Sequence, residues 1–186
     1  EGQVSLGSSV NIANGNLYDD YEISSNSKFP LTLSYNSRSY RDSLFGYGWN
    51  ADFDIRLLTT SNGSMVLIGS DGREDLFAAN GNGTFVSPPG VHDTFVKTGE
   101  GYRLQRKNGN SVVFNAQCRP AYIEERNGNL TTYGYDDDRL LEIINPDGTA
   151  LYFTSDDSGR ITSVSDATGR TTALSYDAEG NLISIT

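Results

Sequence analysis

The last third of the chain repeats itself, and that repetition restricts the fold more than any other feature. Copies start at Cys118, Arg139 and Arg160, 21 residues apart, and a fourth begins at Asn181. The later copies carry an apolar pair near their start: Leu140/Ile143, Ile161/Val164 and Leu182/Ile185. A second register runs through the turn glycines Gly128, Gly148 and Gly169, spaced 20 and 21 residues apart. Five positions after each stands a large apolar residue, Tyr133, Phe153 or Leu174, and the same offset links Gly109 to Phe114 and Gly72 to Phe77. Two positions further, Tyr135 and Tyr176 precede Asp136 and Asp177, while Ser155 precedes Asp156. A strand alternates its side chains with period two, so offsets of five and seven share one face. Each unit therefore reads as turn, strand, turn, strand. The expectation is that Phe77, Phe114, Tyr133, Phe153 and Leu174 are buried on a common face, in a ladder of stacked units, with the aspartates at turns in water.

Turn signals continue through the rest of the chain. Asn-Gly occurs at Asn14, Asn62, Asn80, Asn82, Asn108 and Asn127, and Asp-Gly at Asp71 and Asp147. Such pairs suit type I′ hairpin turns, in which both central residues take positive φ. Between them lie short runs such as Leu31–Tyr35, Met65–Ile68, Val112–Phe114, Leu130–Tyr135 and Leu151–Thr154. They are too short, and too rich in β-branched and aromatic residues, for helices. No long segment has helical periodicity, so the fold class is all-β, built of antiparallel hairpin repeats.

Charge and composition exclude several functions. A formal net charge of −10, with no cluster of Lys or Arg, opposes nucleic-acid binding, because a phosphate backbone needs a basic stripe. No apolar run reaches the ~20 residues that span a bilayer. Cys118 is the one cysteine, so no internal disulfide forms. Asn62, Asn82 and Asn129 match the glycan-acceptor pattern, which an Asn-rich, turn-rich chain also produces by accident.

Candidate chemistry is thin. His92 is the single histidine, which removes a His-based metal cluster and leaves a Ser-His-Asp arrangement without support. Cys118 beside Arg119 reads either as a reactive thiol or as an idle one at a repeat start. The acids Asp136-Asp137-Asp138 and Asp156-Asp157 fit neither Ca²⁺ loop spacing and read as solvated turn carboxylates. Asp52/Asp54 and Glu124/Glu125 form nominal carboxylate pairs without a pocket. Tyr18, Tyr21, Tyr35, Tyr40, Tyr47 and Trp49 offer either a sugar-stacking surface or strand packing. In Phe45-Gly46-Tyr47-Gly48-Trp49, small residues between rings suit a bend where backbone approaches a neighbour closely. No cofactor and no metal is implied.

Tyr176-Asp177, within Gly159 to Leu182, resembles the YD repeat of Rhs proteins, and Tyr135-Asp136 matches it again. Val10–Leu17, Pro30–Arg38 and Phe45–Trp49 resemble the region that introduces the repeats in bacterial Rhs polymorphic toxins. Similar proteins include toxin-complex shell proteins, wall-associated bacterial toxins and the teneurins. The resemblance implies three parts: a repeat-introducing region at 1–60, irregular hairpins at 61–116 and YD repeats at 117–186. It further implies a β-strip that spirals into a hollow shell around a C-terminal toxin, released by aspartyl self-cleavage. The Asp-Pro-x-Gly type of cleavage sequence is missing, since Asn145-Pro146-Asp147-Gly148 has the order of a repeat turn. The chain opens at Glu1 without Met and its last copy stops mid-unit, so a longer parent, or another copy of the chain, is expected to supply the next strand. Location would be secreted or at the cell surface. The first functional reading is a structural module, a curved, spiralling sheet in a shell or an extended fibre, that encloses or presents a toxin or partner. The second is an adhesive module that binds glycans or a surface partner. An enzyme is third, because no acid, base and nucleophile converge.

Overall fold

The computed structural model describes residues 4–5, 9–11, 15–23 and 29–186. Asn14, with its turn signal, and residues 12–14 of the Val10–Leu17 piece lie outside that set. Among the described residues there are strands and turns and no helix. Seven strands come first: β1 (Val4–Ser5), β2 (Ser9–Asn11), β3 (Asn16–Glu22), β4 (Thr32–Asn36), β5 (Asp42–Ser43), β6 (Gly46–Tyr47) and β7 (Trp49–Ala51). β8 (Arg56–Thr59), β9 (Met65–Ile68), β10 (Glu74–Ala79) and β11 (Phe85–Val86) follow. The rest are β12 (Thr94–Lys97), β13 (Gly101–Gln105), β14 (Ser111–Asn115), β15 (Pro120–Glu124), β16 (Leu130–Asp136), β17 (Arg139–Ile144), β18 (Ala150–Ser155), β19 (Ile161–Asp166), β20 (Thr171–Tyr176) and β21 (Leu182–Ile185).

The last ten strands form one antiparallel sheet in chain order, each pairing with the next. β8 to β11 make a four-stranded meander, β1 to β4 with β7 a five-stranded sheet, and β5 with β6 a two-stranded ribbon. The all-β reading and its long antiparallel run of hairpins hold. The chain divides into two compact units, one of residues 1–54 and 134–186, the other of residues 55–133.

In the unit of residues 55–133, the core is a single cluster between two sheets. Leu57, Met65, Leu67 and Phe77 come from the four-stranded meander, and Phe95, Leu104, Val112 and Phe114 from the longer sheet. Phe95 packs at 5.4 Å from Phe77 and 4.9 Å from Phe85. In the other unit, Phe53 lies between Phe45 and Phe153, at 6.1 and 5.4 Å. Burial alternates along the strands as period two requires: in β18, Leu151 and Phe153 are buried while Tyr152 and Thr154 are exposed.

One turn type recurs, and it is not the expected one. Among the described residues, nine loops close on a five-residue pattern in which the first residue accepts the N–H of the fourth and donates its own N–H to the carbonyl of the fifth. They are 60–64, 69–73, 106–110, 115–119, 125–129, 145–149, 156–160, 166–170 and 177–181. The fourth residue alone is left-handed: Gly63, Gly72, Gly109, Cys118, Gly128, Gly148, Gly159, Gly169 and Gly180, with φ between 64° and 93°. This is a three-residue loop with one left-handed position before a bulge, not a type I′ turn. The Asn or Asp before the glycine keeps negative φ because its side chain has another task. Asn62, Asp71, Asn108, Asn127 and Asp147 each accept, on Oδ1, the N–H two residues ahead. Only Asn82-Gly83, among the described Asn-Gly and Asp-Gly pairs, places both residues at positive φ as first expected.

Candidate functional site

Phe77, Phe114, Tyr133, Phe153 and Leu174 are all buried, none more than 9% exposed. Tyr135 and Tyr176 are half-buried. Gly128, Gly148 and Gly169 are left-handed, and nothing stands within 4 Å of where a Cβ would be.

The aspartate of the YD pair is a turn-former. Asp177 Oδ1 accepts the backbone N–H of Glu179 and of Asn181, at 3.1 and 2.8 Å. Asp156 does the same for Ser158 and Arg160, and Asp166 for Thr168 and Arg170. Asn115 makes the same pair of bonds with a neutral amide. The hydroxyl of Thr168, and then the Arg170 side chain, hold the Asp166 carboxyl well below the usual carboxylate range. The Asn181 side-chain amide, and then its backbone N–H, lower the Asp177 carboxyl from its ordinary value. Asp136 differs, since its strand ends in a tight turn with Asp137 left-handed at φ 49°.

A third feature joins residues more than a hundred positions apart within the unit of 1–54 and 134–186. Ile161 N–H donates to the Leu44 carbonyl at 2.7 Å. One residue earlier, Arg160 donates to Asp42 Oδ2 at 2.8 Å. The Ile161 carbonyl accepts the Tyr176 hydroxyl at 2.6 Å. Burial first, then the Asp156 and Asp42 carboxylates, push the Tyr176 phenol far above its ordinary value, so it stays a donor. Gly46 lies against the same tyrosine: an added Cβ would stand 2.5 Å from the Gly180 carbonyl oxygen and 3.2 Å from the Tyr176 ring. The close approach expected of Phe45–Trp49 is found here, and again at Gly48, whose Cβ would meet the Tyr35 ring at 2.8 Å. Sequence reasoning did not find Asp42 or Arg160. The glycine between aromatic residues was the available signal.

The remaining candidates do not converge. His92 is exposed, and Cys118 is half-buried with its Sγ 3.8 Å from the Thr59 hydroxyl. Glu124 pairs with Arg103, while Glu125 accepts from the Asn129 amide. Asp52 is exposed and Asp54 is buried. No group of three potential metal ligands occurs among the described residues. Tyr21, Tyr35 and Trp49 pack on one another, with centroids 5.5 and 5.1 Å from the indole, on the sheet face that also buries Leu33. The buried Asp19 carboxylate, hydrogen-bonded to the Tyr21 hydroxyl, raises that phenol's pKa. Tyr18, Tyr40 and Tyr47 are exposed.

The mixed cleft at Thr98, Gly99, Glu100, Arg103, Val113 and Tyr122, about 400 Å³, is open to solvent. Arg103, Val113 and Tyr122 stand opposite one another on three adjacent strands.

Comparison with known proteins agrees with the arrangement. Residues 156–186 match the RHS Repeat family model, and residues 7–77 match a Domain of unknown function, DUF6531. The chain is 30% identical over 200 residues to the tRNA3(Ser)-specific nuclease WapA of Bacillus spizizenii, covering 94% of the chain and 8% of that protein. It is 29% identical over 137 residues to the tRNA nuclease WapA of Bacillus subtilis, covering 71% of the chain and 6% of that protein. The chain thus spans less than a tenth of the length of these relatives. The likeness to Rhs/YD-repeat proteins read from the sequence is borne out.

Proposed function

We propose that this chain, an RHS repeat segment similar to a small part of WapA, is structural: it forms part of a β-shell that encloses or presents a toxin in a longer parent protein. The observation that carries the reading is the ten-stranded meander, in which one turn recurs at seven of the nine connections. Such a strip extends by adding identical units, and each unit contacts mainly its neighbours. Phe114, Tyr133, Phe153 and Leu174 hold the units together, Phe77 packs on Phe95 from the four-stranded sheet, Gly128, Gly148 and Gly169 reverse the chain, and Tyr135 and Tyr176 lie beside the ring row. The partners are then further repeats or other copies, and the place of work is outside the cell or at its surface. We retain the three-part division at 1–60, 61–116 and 117–186.

The nuclease activity named for the relatives belongs, on this proposal, to parts of those proteins outside the matched segment. The purified chain is expected to leave tRNA intact. Electron microscopy of the parent protein, joined to protease protection of its C-terminal region, tests the shell. A solid rod with a freely digested C-terminus would overturn it. The glycan-binding alternative drew on an exposed aromatic row. Tyr21, Tyr35 and Trp49 instead are half-buried, with both tyrosines packed on the indole, which leaves Tyr18, Tyr40 and Tyr47 as the exposed rings of that row.

A further inference from the structure

We propose that Arg160, Ile161, Tyr176 and Gly180 form a register-setting receptor that accepts the segment Asp42–Tyr47 at one repeat and refuses it at the others. The segment presents a carboxylate at Asp42, a backbone carbonyl at Leu44 and an uncovered backbone at Gly46. The receptor answers each: Arg160 bonds Asp42, Ile161 N–H bonds the Leu44 carbonyl, and Tyr176 with the Gly180 carbonyl leaves room for a glycine only. The Tyr176 hydroxyl also fixes the Ile161 carbonyl, so the peptide group on either side of Ile161 is held from both directions.

The repeat supplies two other places with the same spacing, and each lacks a necessary part. One repeat earlier the corresponding residues are Arg139, Leu140, Ser155 and Gly159. The arginine, the N–H and the glycine are present, but Ser155 cannot reach the carbonyl that Tyr176 reaches. At the first copy, aligned on the loops 115–119 and 156–160, Arg119 and Tyr135 are present, but Pro120 stands where Ile161 stands and Arg139 where Gly180 stands. Proline has no N–H to give to Leu44. Three nearly equivalent repeats thus present one complete receptor.

The guanidinium adds a penalty for leaving. Arg160 is 17% exposed, lies over Gly180, and its Nε is buried without a hydrogen-bond partner. A partly buried cation deprived of its carboxylate keeps its desolvation cost. Asp42 is therefore the contact the site can least do without.

The test uses the full chain and amide hydrogen exchange, read at Ile161 and, as a control, at Ala173, whose N–H bonds the Thr186 carbonyl in the same sheet. Tyr176→Phe should speed exchange at Ile161 by about fivefold, the equivalent of one net hydrogen bond, with Ala173 unchanged. Gly46→Ala should abolish the extra protection at Ile161. Asp42→Lys should do likewise, Asp42→Lys with Arg160→Asp should restore it, and Asp42→Lys with Arg139→Asp should not. Restoration by both arginine variants would reduce the contact to general electrostatics and overturn the register claim. Equal loss at Ile161 and Ala173, or no change in the Tyr176→Phe and Gly46→Ala variants, would overturn the receptor itself.

Discussion

Replacing Phe153 by alanine isolates what the ring positions contribute. Phe153 is 3% exposed and packs on Phe53, which packs in turn on Phe45. Removing a buried phenylalanine loses its transfer free energy and leaves a cavity, together about 3–5 kcal/mol. An aromatic pair adds about 0.5–1.5 kcal/mol beyond buried area. Neighbouring Tyr152, 43% exposed, serves as the matched control, and its alanine variant should cost no more than ~1 kcal/mol. Trp49 is the chain's one tryptophan and belongs to the same compact unit as Phe153, so its fluorescence follows that unit in urea. The expected result is a lower midpoint at constant slope for Phe153→Ala. The Phe53→Ala/Phe153→Ala double variant should fall short of the sum of the singles by about 0.5–1.5 kcal/mol. A Phe153→Ala cost equal to that of Tyr152→Ala would refute the argument that the glycine offset marks the core.

Other consequences are open to the same methods. Ala at Gly128, Gly148 or Gly169 meets open space, so each should cost only the left-handed strain, about 1–2 kcal/mol. Gly101→Ala should prevent folding, since its Cβ would lie 2.1 Å from the Phe114 carbonyl oxygen. Asp166 and Asp177 have folded pKa values held below ordinary, so their contribution is complete above the unfolded carboxylate pKa, near 4, and is lost as pH falls through the folded values. Asp166→Asn should flatten that acid limb in urea midpoints taken from pH 6 downward, because Asn115 shows that an amide makes the same two turn bonds. His92→Ala, at an exposed site, should shift the unfolding midpoint by less than ~0.5 kcal/mol.

The sequence disclosed class and period because both are local. Glycine offsets mark where hairpins reverse, and rings five residues later mark a buried face. Turn type was less legible. An Asn-Gly pair suits both a type I′ turn and a three-residue loop with a left-handed glycine. What separates them is the Asn side chain accepting the N–H two residues on, as Asn108 and Asn127 do. The contact between Asp42–Tyr47 and the repeat at Arg160 was not legible, because no spacing rule links residues 118 positions apart. Only Gly46, held between rings, hinted at it.

One regularity in the sequence became intelligible only with the register. Ile161 and Val164, three apart on one strand, should point to opposite faces, yet both are buried. The ladder places Ser155 opposite Ile161 and Thr154 opposite Ser163, so Thr162 is an extra, unpaired residue. The same irregularity falls at Ala121, between Pro120 and Tyr122, and at Ile183, between Leu182 and Ser184. A bulge of one residue restores the parity that a three-residue spacing breaks. The strand then turns inward both at the start that follows the loop and at its centre. In β19, that start is Ile161, which also carries the N–H given to Leu44 and the carbonyl held by Tyr176. In β19 and β21 the apolar pair three apart thus coincides with a bulge, and Pro120 at the equivalent place shows that the bulge survives where the docking donor is lost.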